Sequence, residues 1–321
     1  MTTPRSPPFT VNETKGDGAK STALIIFTNL QTLLTIIGLL TNILTVVTLT
    51  LNGKEFPLIN RILLQHQAVV DSFVCIMGIG IYTQPLMWMT GNANFDLLLC
   101  QVWHGQAIYW GGVLLSVWNL VFIAVERFMM VIYTYKHRRI QPAHIYKSFV
   151  LMYICSIIFL APAYLQVKYD KVSGECFSKY YFDTDFFDKF MYGFAIFWFF
   201  VVYVIPIICF IVLYTKIVWT LRQRMRSLEE MQQESRILDI ANQQLTRTAM
   251  AVAIVFILSL SWDSWFYLMG FAGIATYEFN SPDQIVGVFL STFNSVANPF
   301  IYSVSLAIFR KSLKMTLRCG S

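Results

Sequence analysis

Residues 97–132 read LLLCQVWHGQAIYWGGVLLSVWNLVFIAVERFMMVI, 36 positions with no Asp, Glu, Lys or Arg before Glu126-Arg127. A helix needs about 20 predominantly apolar residues to cross the hydrocarbon core of a bilayer, and this run exceeds that length. Six more runs, bounded by charge, Pro or Gly clusters, share its character: 22–51, 58–89, 146–165, 187–221, 245–270 and 285–305. Gln65, His66 and Gln67 interrupt the second of them near one end. The expected fold is an all-α membrane protein, a seven-transmembrane helix bundle. Several runs longer than the minimum predict helices that tilt or extend beyond the bilayer.

The composition of the whole chain agrees. Of 321 residues, 56% are hydrophobic and 13% charged, where a soluble domain carries about 25% charged residues. With 27 Phe, 16 Tyr and 8 Trp, global disorder is excluded as well. Six cysteines are too few for a disulfide scaffold, and none fall in the paired Cys-x-x-Cys pattern of a zinc site. The first 20 residues are polar and proline-bearing, which predicts no removable signal peptide and a first helix that serves as anchor.

Sorting the charges by side gives an orientation. The N-terminal side carries 7 basic and 10 acidic residues, the opposite side 17 basic and 6 acidic. Lys136-His137-Arg138-Arg139, 222–226 and Arg310-Lys311 dominate the second set, so that side is expected to be cytoplasmic and the N-terminus extracellular. The net charge of +6 is thus a topology signature and implies no nucleic-acid partner. Asn12-Glu13-Thr14 is a glycosylation sequon on the expected outer side. Residues 227–244 read as a cytoplasmic extension of the fifth and sixth helices.

Two acids, Asp71 and Asp263, fall inside spans, where an ionisable side chain costs about 2.5–3.5 kcal/mol on insertion scales. Asn42, Ser116, Asn294, Ser295 and Asn298 lie at depths similar to Asp71. One carboxylate with neutral oxygen donors from four helices suits a small hard cation such as sodium, or a water-filled polar network, or plain bonding between helices. At the inner end of the third span, Glu126 beside Arg127 can hold a guanidinium in a charge-assisted pair. In the seventh, Pro299 removes a backbone donor from Asn298-Pro299-Phe300-Ile301-Tyr302, and Tyr302 offers a hydroxyl.

In combination these elements resemble a rhodopsin-like (class A) G-protein-coupled receptor over essentially the full chain. The resemblance rests on Asn42, on Ala68-Val69-Val70-Asp71, on Glu126-Arg127-Phe128, on Pro206 with Tyr214, and on Asn298 to Tyr302, in order on the right spans. It implies an extracellular tail at 1–21, a seven-transmembrane domain at 22–305, and an amphipathic helix 8 with a cytoplasmic tail at 306–321. On that helix Phe309 would point down and Arg310 and Lys311 toward lipid phosphates; Cys319 beyond it is a candidate for palmitoylation. Cys100 and Cys176 would form the family's outer disulfide. Arg127, Tyr214 and Tyr302 would face a heterotrimeric G protein, and Val117, Pro206 and Phe256 would form the cluster that transmits ligand binding inward. The sodium reading of Asp71, Ser116, Asn294 and Asn298 would stabilise the inactive state. The protein would be no enzyme, and no His-Glu-x-x-His or Gly-x-Ser-x-Gly occurs in it.

Departures from the pattern are as informative. The separation of Cys100 from Arg127 is longer than usual, helix four lacks its Trp near Met152 and Tyr153, and the Cys-Trp-x-Pro element of helix six is missing at 259–264. Aligning on Phe256 puts Leu260 at the place of the family's Trp; aligning on Trp262 shifts the register by two. The acid expected at the base of helix six is replaced by Asn242, Gln243 and Gln244, which predicts that Arg127 is restrained mainly by Glu126 and that basal signalling is raised.

No Lys occurs within 285–305, so a retinal Schiff base has no attachment point, and no acid occurs within 101–119 to take an amine. The expected ligand pocket comprises His104, Gln106, Tyr109, Trp110, Trp262 and Asp263, with Asp263 able to anchor a ligand cation. Asp183, Asp185 and Asp188 of the second outer loop would attract a basic peptide. A peptide is the expected ligand class, with a small apolar or chemosensory ligand next. A transporter or channel using Asp71 and Asp263 is the competing class, and a ligandless scaffold a third.

Overall fold

The computed structural model describes residues 17–82, 90–171, 175–177, 185–227, 233–277 and 281–318. Asn12, Asp183 and Cys319 lie outside them. Seven helices are long and apolar enough to cross a membrane. They are α1 (Asp17–Leu51), α2 (Leu58–Tyr82), α3 (Ala107–Ile132), α4 (Pro142–Leu160), α5 (Asp185–Phe199, continuing as Ile205–Ser227), α6 (Gln233–Phe271) and α7 (Pro282–Ser305). Helix α8 (Ala307–Arg318) follows after one residue.

α3 is the central helix. Gly111 and Gly112 let it come close to two neighbours at once: a Cβ on Gly111 would stand 2.6 Å from Leu160 Cδ1 of α4, and one on Gly112 2.9 Å from Val74 Cγ2 of α2. Small residues do this work between membrane helices, where lipid is as apolar as the helix surface and close packing is one of the forces that favour association. The core that results runs from Trp110 and Tyr109 through Val117 to Phe210, Phe256 and Tyr302.

The apolar run 97–132 is not one helix. Ala93–Leu99 is followed by a π turn at Cys100–His104, and the chain then breaks at Gly105 and Gln106 before α3 begins. Gln106 takes a left-handed φ of 53°. The wide turn and the break absorb the extra length between Cys100 and Arg127. A second π turn, Phe200–Val204, interrupts α5 just before Pro206.

The end of the bundle at the start of the third span is organised by the disulfide between Cys100 and Cys176, whose Cα atoms are 5.7 Å apart. It ties the start of the third span to β2 (Glu175–Phe177), which pairs antiparallel with β1 (Lys168–Asp170), Tyr169 opposite Cys176. A two-stranded ribbon is marginal alone. Asp96 fixes it from the other side: it accepts from the Thr90 amide and hydroxyl, both at 2.8 Å, from the Gly91 amide at 3.2 Å, and from the Tyr169 hydroxyl at 3.2 Å. Burial pushes the Asp96 carboxyl up, but these hydrogen bonds outweigh it and hold the group below the ordinary carboxylate range.

At the opposite end of the bundle Phe309 of α8 is buried under Tyr302, the rings 6.1 Å apart. Ser312 donates to the Asn52 carbonyl at 2.9 Å and Asn52 to Thr316 at 2.8 Å, so α8 is pinned to the α1–α2 turn. Arg310 turns back to donate to the carbonyls of Val304 and Ser303 at the end of α7. It caps the negative end of that helix, so of the two cations expected to face lipid phosphates it is already engaged by the protein.

Candidate functional site

The mid-membrane cluster is built on Asp71, fully buried on α2. Its Oδ1 accepts from Ser116 of α3 at 2.8 Å and from Ser295 of α7 at 2.8 Å; its Oδ2 accepts from Asn298 of α7 at 2.7 Å. Gln67, one turn earlier on α2, donates to both oxygens at 3.1 Å and to Ser116 at 2.6 Å. Asn42 of α1 joins α7 at the Ser295 carbonyl, 3.0 Å away. Of the expected ligand set, Asp71, Ser116 and Asn298 meet. No hydrogen bond joins Asn294 to Asp71 among the described residues, and its Oδ1 is buried without a donor among them.

The cluster continues sideways toward α4. Gln67 Oε1 accepts from Asn119 at 2.7 Å, Asn119 also donates to the Leu63 carbonyl at 3.1 Å, and its Oδ1 is 3.0 Å from Nδ1 of His66. His66 Nε2 in turn is 3.2 Å from the Tyr153 hydroxyl, and the imidazole stacks on Phe149 with centroids 3.9 Å apart. Every polarity in this chain is fixed by one group that can only accept, the Leu63 carbonyl. Asn119 must present its N–H2 to it and to Gln67, so Gln67 presents its oxygen to Asn119 and its N–H2 to Asp71; Asn119 Oδ1 then requires a proton on His66 Nδ1 and leaves Nε2 to accept from Tyr153.

At the inner end of α3, Arg127 is 1% exposed, and its Nε lies 2.6 Å from Oε2 of Glu126. The other carboxylate oxygen of Glu126 accepts from His137 at 3.0 Å. Both terminal nitrogens of Arg127, the Asn60 amide nitrogen and the Tyr302 hydroxyl have no protein hydrogen-bond partner among the described residues. They border a cavity of about 30 Å³ shared with Tyr214, Thr248, Val252 and Leu306, room for about two water molecules. Above it, Val117, Pro206 and Phe256 are all buried, and Phe256 packs edge-on to Phe210 at 5.5 Å.

Helix six follows the register set by Phe256. Leu260 is buried, whereas Trp262 is 47% exposed and donates its indole N–H to the Asp283 carbonyl at 3.1 Å. The expectation that Trp262 lines the ligand pocket is therefore corrected: two residues beyond Leu260, it lies on another side of the helix. Asp263, one step further, does face inward. It is buried, its Oδ1 is 3.5 Å from the Tyr277 hydroxyl, and it borders a cavity of about 20 Å³ with Trp110, Gln166, Trp198 and Tyr267. Gln106 and Gln284 form a reciprocal amide pair across α3 and α7, at 3.2 and 2.6 Å. Tyr109 is spent on α7, donating to the Val288 carbonyl at 2.9 Å. His104 is half-buried in the π turn.

Sequence reasoning missed Gln67, His66, Asn119, His137, Tyr277 and Gln284. The triplet 65–67 carried a signal, since polar residues at the end of a span need a partner, but nothing in it named α3 and α4 as the source. Among the described residues no group of three His, Cys, Asp or Glu side chains is placed to hold a metal ion.

Seven membrane helices, an acid in mid-membrane and a buried arginine at the inner end define a seven-helix receptor. Residues 41–302 match the family model described as 7 transmembrane receptor (rhodopsin family), and the chain belongs to that family. It is similar to rhodopsin of Petromyzon marinus, 25% identical over 89% of this chain and 79% of the relative, and to a blue-sensitive opsin of Anolis carolinensis, 26% identical over 88% and 77%. It is also similar to the neuropeptide Y receptor type 6 of Mus musculus, 22% identical over 93% and 82%. The protein is thus a multi-pass membrane G-protein-coupled receptor and not an enzyme.

Proposed function

We propose that the chain is a plasma-membrane receptor, N-terminus outside, that binds an extracellular peptide and activates a heterotrimeric G protein. The observation that carries the coupling is Arg127. It stands at the inner end of the bundle beside Tyr214 and Tyr302 and is held by its sequence neighbour Glu126. An outward movement of α6 would open that cavity to a G-protein segment, and an agonist favours the open arrangement only by binding it more tightly than the closed one.

Two features favour a peptide. A relative is named for neuropeptide Y, and Asp185 and Asp188 are exposed on the first turn of α5. The absence of Lys from 285–305 leaves no attachment for a retinal Schiff base, although two of the relatives are a rhodopsin and an opsin. The reading is tested on purified receptor in nanodiscs, by nucleotide exchange on G proteins against basic peptide fractions and a panel of small apolar compounds. Exchange driven by peptides supports it. Exchange driven only by apolar compounds transfers the site to a chemosensory ligand, and solute flux without exchange would favour a transporter.

A further inference from the structure

The residues around Asp71 do not fit a sodium ion. A cation needs oxygen lone pairs turned toward it, yet two of the four side chains on this carboxylate, Gln67 and Asn298, turn N–H groups to it. An ionised carboxylate offers about four lone-pair sites. Five donor contacts from Gln67, Ser116, Ser295 and Asn298 already converge on Asp71.

We propose that the Gln67 side-chain amide is a built-in replacement for the cation: it occupies the place facing both oxygens of Asp71 and makes this bundle independent of sodium. The geometry is that of a bridging counter-group, with one nitrogen equidistant from Oδ1 and Oδ2 at 3.1 Å and also 2.6 Å from Ser116, the hydroxyl expected to ligate an ion. The positive end of the amide dipole is aimed there by construction. Asn119, committed to the Leu63 carbonyl, fixes the opposite end of the amide at 2.7 Å, and His66 and Tyr153 hold Asn119 in turn. Rotating Gln67 away would leave Asn119 and Asp71 each short of a partner in a low-dielectric interior, where an unmade hydrogen bond costs most. The buried Oδ1 atoms of Asn294 and Asn298, which have no donor among the described residues, are places for ordered water.

The test is the thermal unfolding midpoint of the purified full-length receptor in nanodiscs, in sodium chloride against choline chloride at equal ionic strength. The wild-type midpoint is expected to be the same in both. Gln67→Leu, which keeps the volume and removes the amide, is expected to unfold lower in choline and to recover about 2–4 °C in sodium; adding Asp71→Asn should abolish that recovery. Asn119→Leu, which releases the far end of the amide, gives a second reading of the same kind if Gln67→Leu does not fold. A wild-type midpoint that rises in sodium and loses the rise in Asp71→Asn overturns the proposal. So does a folded Gln67→Leu or Asn119→Leu variant with no sodium-specific response.

Discussion

Arg127 Nε lies 2.6 Å from Oε2 of Glu126, its own predecessor in the chain, and this is the arginine's one ion pair among the described residues. Adjacent residues on a helix point about 100° apart, so this lock is local to α3. It does not by itself tether α6, whose outward movement the proposed activation requires.

Basal coupling is therefore expected to be high. Placing an acid on α6 with Asn242→Glu should lower ligand-free nucleotide exchange by about 2- to 10-fold, the range for a net hydrogen-bonded contribution of about 0.5–1.5 kcal/mol. Glu126→Gln, which removes the charge from the lock, should raise it. Wild-type basal exchange no higher than that of Asn242→Glu would refute this account of the inner end.

Asp263 and Trp262 are neighbours with opposite fates. Asp263→Asn should weaken activation by cation-bearing agonists about tenfold or more, since a buried charge pair is strengthened by low dielectric. Trp262→Phe should leave the potency of the same agonists unchanged, because its indole is half exposed and bonded to Asp283. Equal losses in concentration–response curves for the two variants would show that the register assigned to α6 is wrong.

Gly112 and Gly193 make a contrast in stability. A Cβ on Gly112 would press on Val74 Cγ2 at 2.9 Å and Phe73 Cδ1 at 3.0 Å, whereas around Gly193 on α5 nothing lies within 4 Å. Gly112→Ala is expected to lower the unfolding midpoint, overpacking costing about 1–3 kcal/mol. Gly193→Ala should hold or raise it through helix propensity, worth about 0.8–1.0 kcal/mol. Differential scanning of the three proteins decides.

Asp96 makes the outer cap pH-dependent. Its folded pKa lies below the unfolded value, so its contribution is fully present above the ordinary carboxylate range and is lost as pH falls through the unfolded and then the folded value. The unfolding midpoint should therefore drop on acidification below about pH 4, and Asp96→Asn should have a lower midpoint at neutral pH with a flatter acid profile. Parallel profiles for the two proteins would remove Asp96 from this role.

Seven spans and the meeting of Asp71, Ser116 and Asn298 were legible in the sequence, because length and order along the chain carry them. The rotation of each helix was not. In a bilayer both the lipid-facing and the core-facing sides are apolar, so periodicity does not say which way a residue turns. Hence the sequence alone points Trp262 at the pocket and makes Gln67 an interruption of α2, whereas Gln67 faces Asp71 and Asn119. The break at Gln106 escaped for another reason: a left-handed residue after a π turn leaves no mark in an otherwise apolar run.

The most direct test of the central claim is nucleotide exchange on purified heterotrimeric G proteins, comparing wild-type receptor nanodiscs with Arg127→Ala and with empty discs. The account predicts faster exchange with wild type than with empty discs, even without ligand, and a fall to the empty-disc rate in Arg127→Ala. A wild-type rate equal to that of empty discs with every G-protein class, or an Arg127→Ala variant as active as wild type, would contradict it.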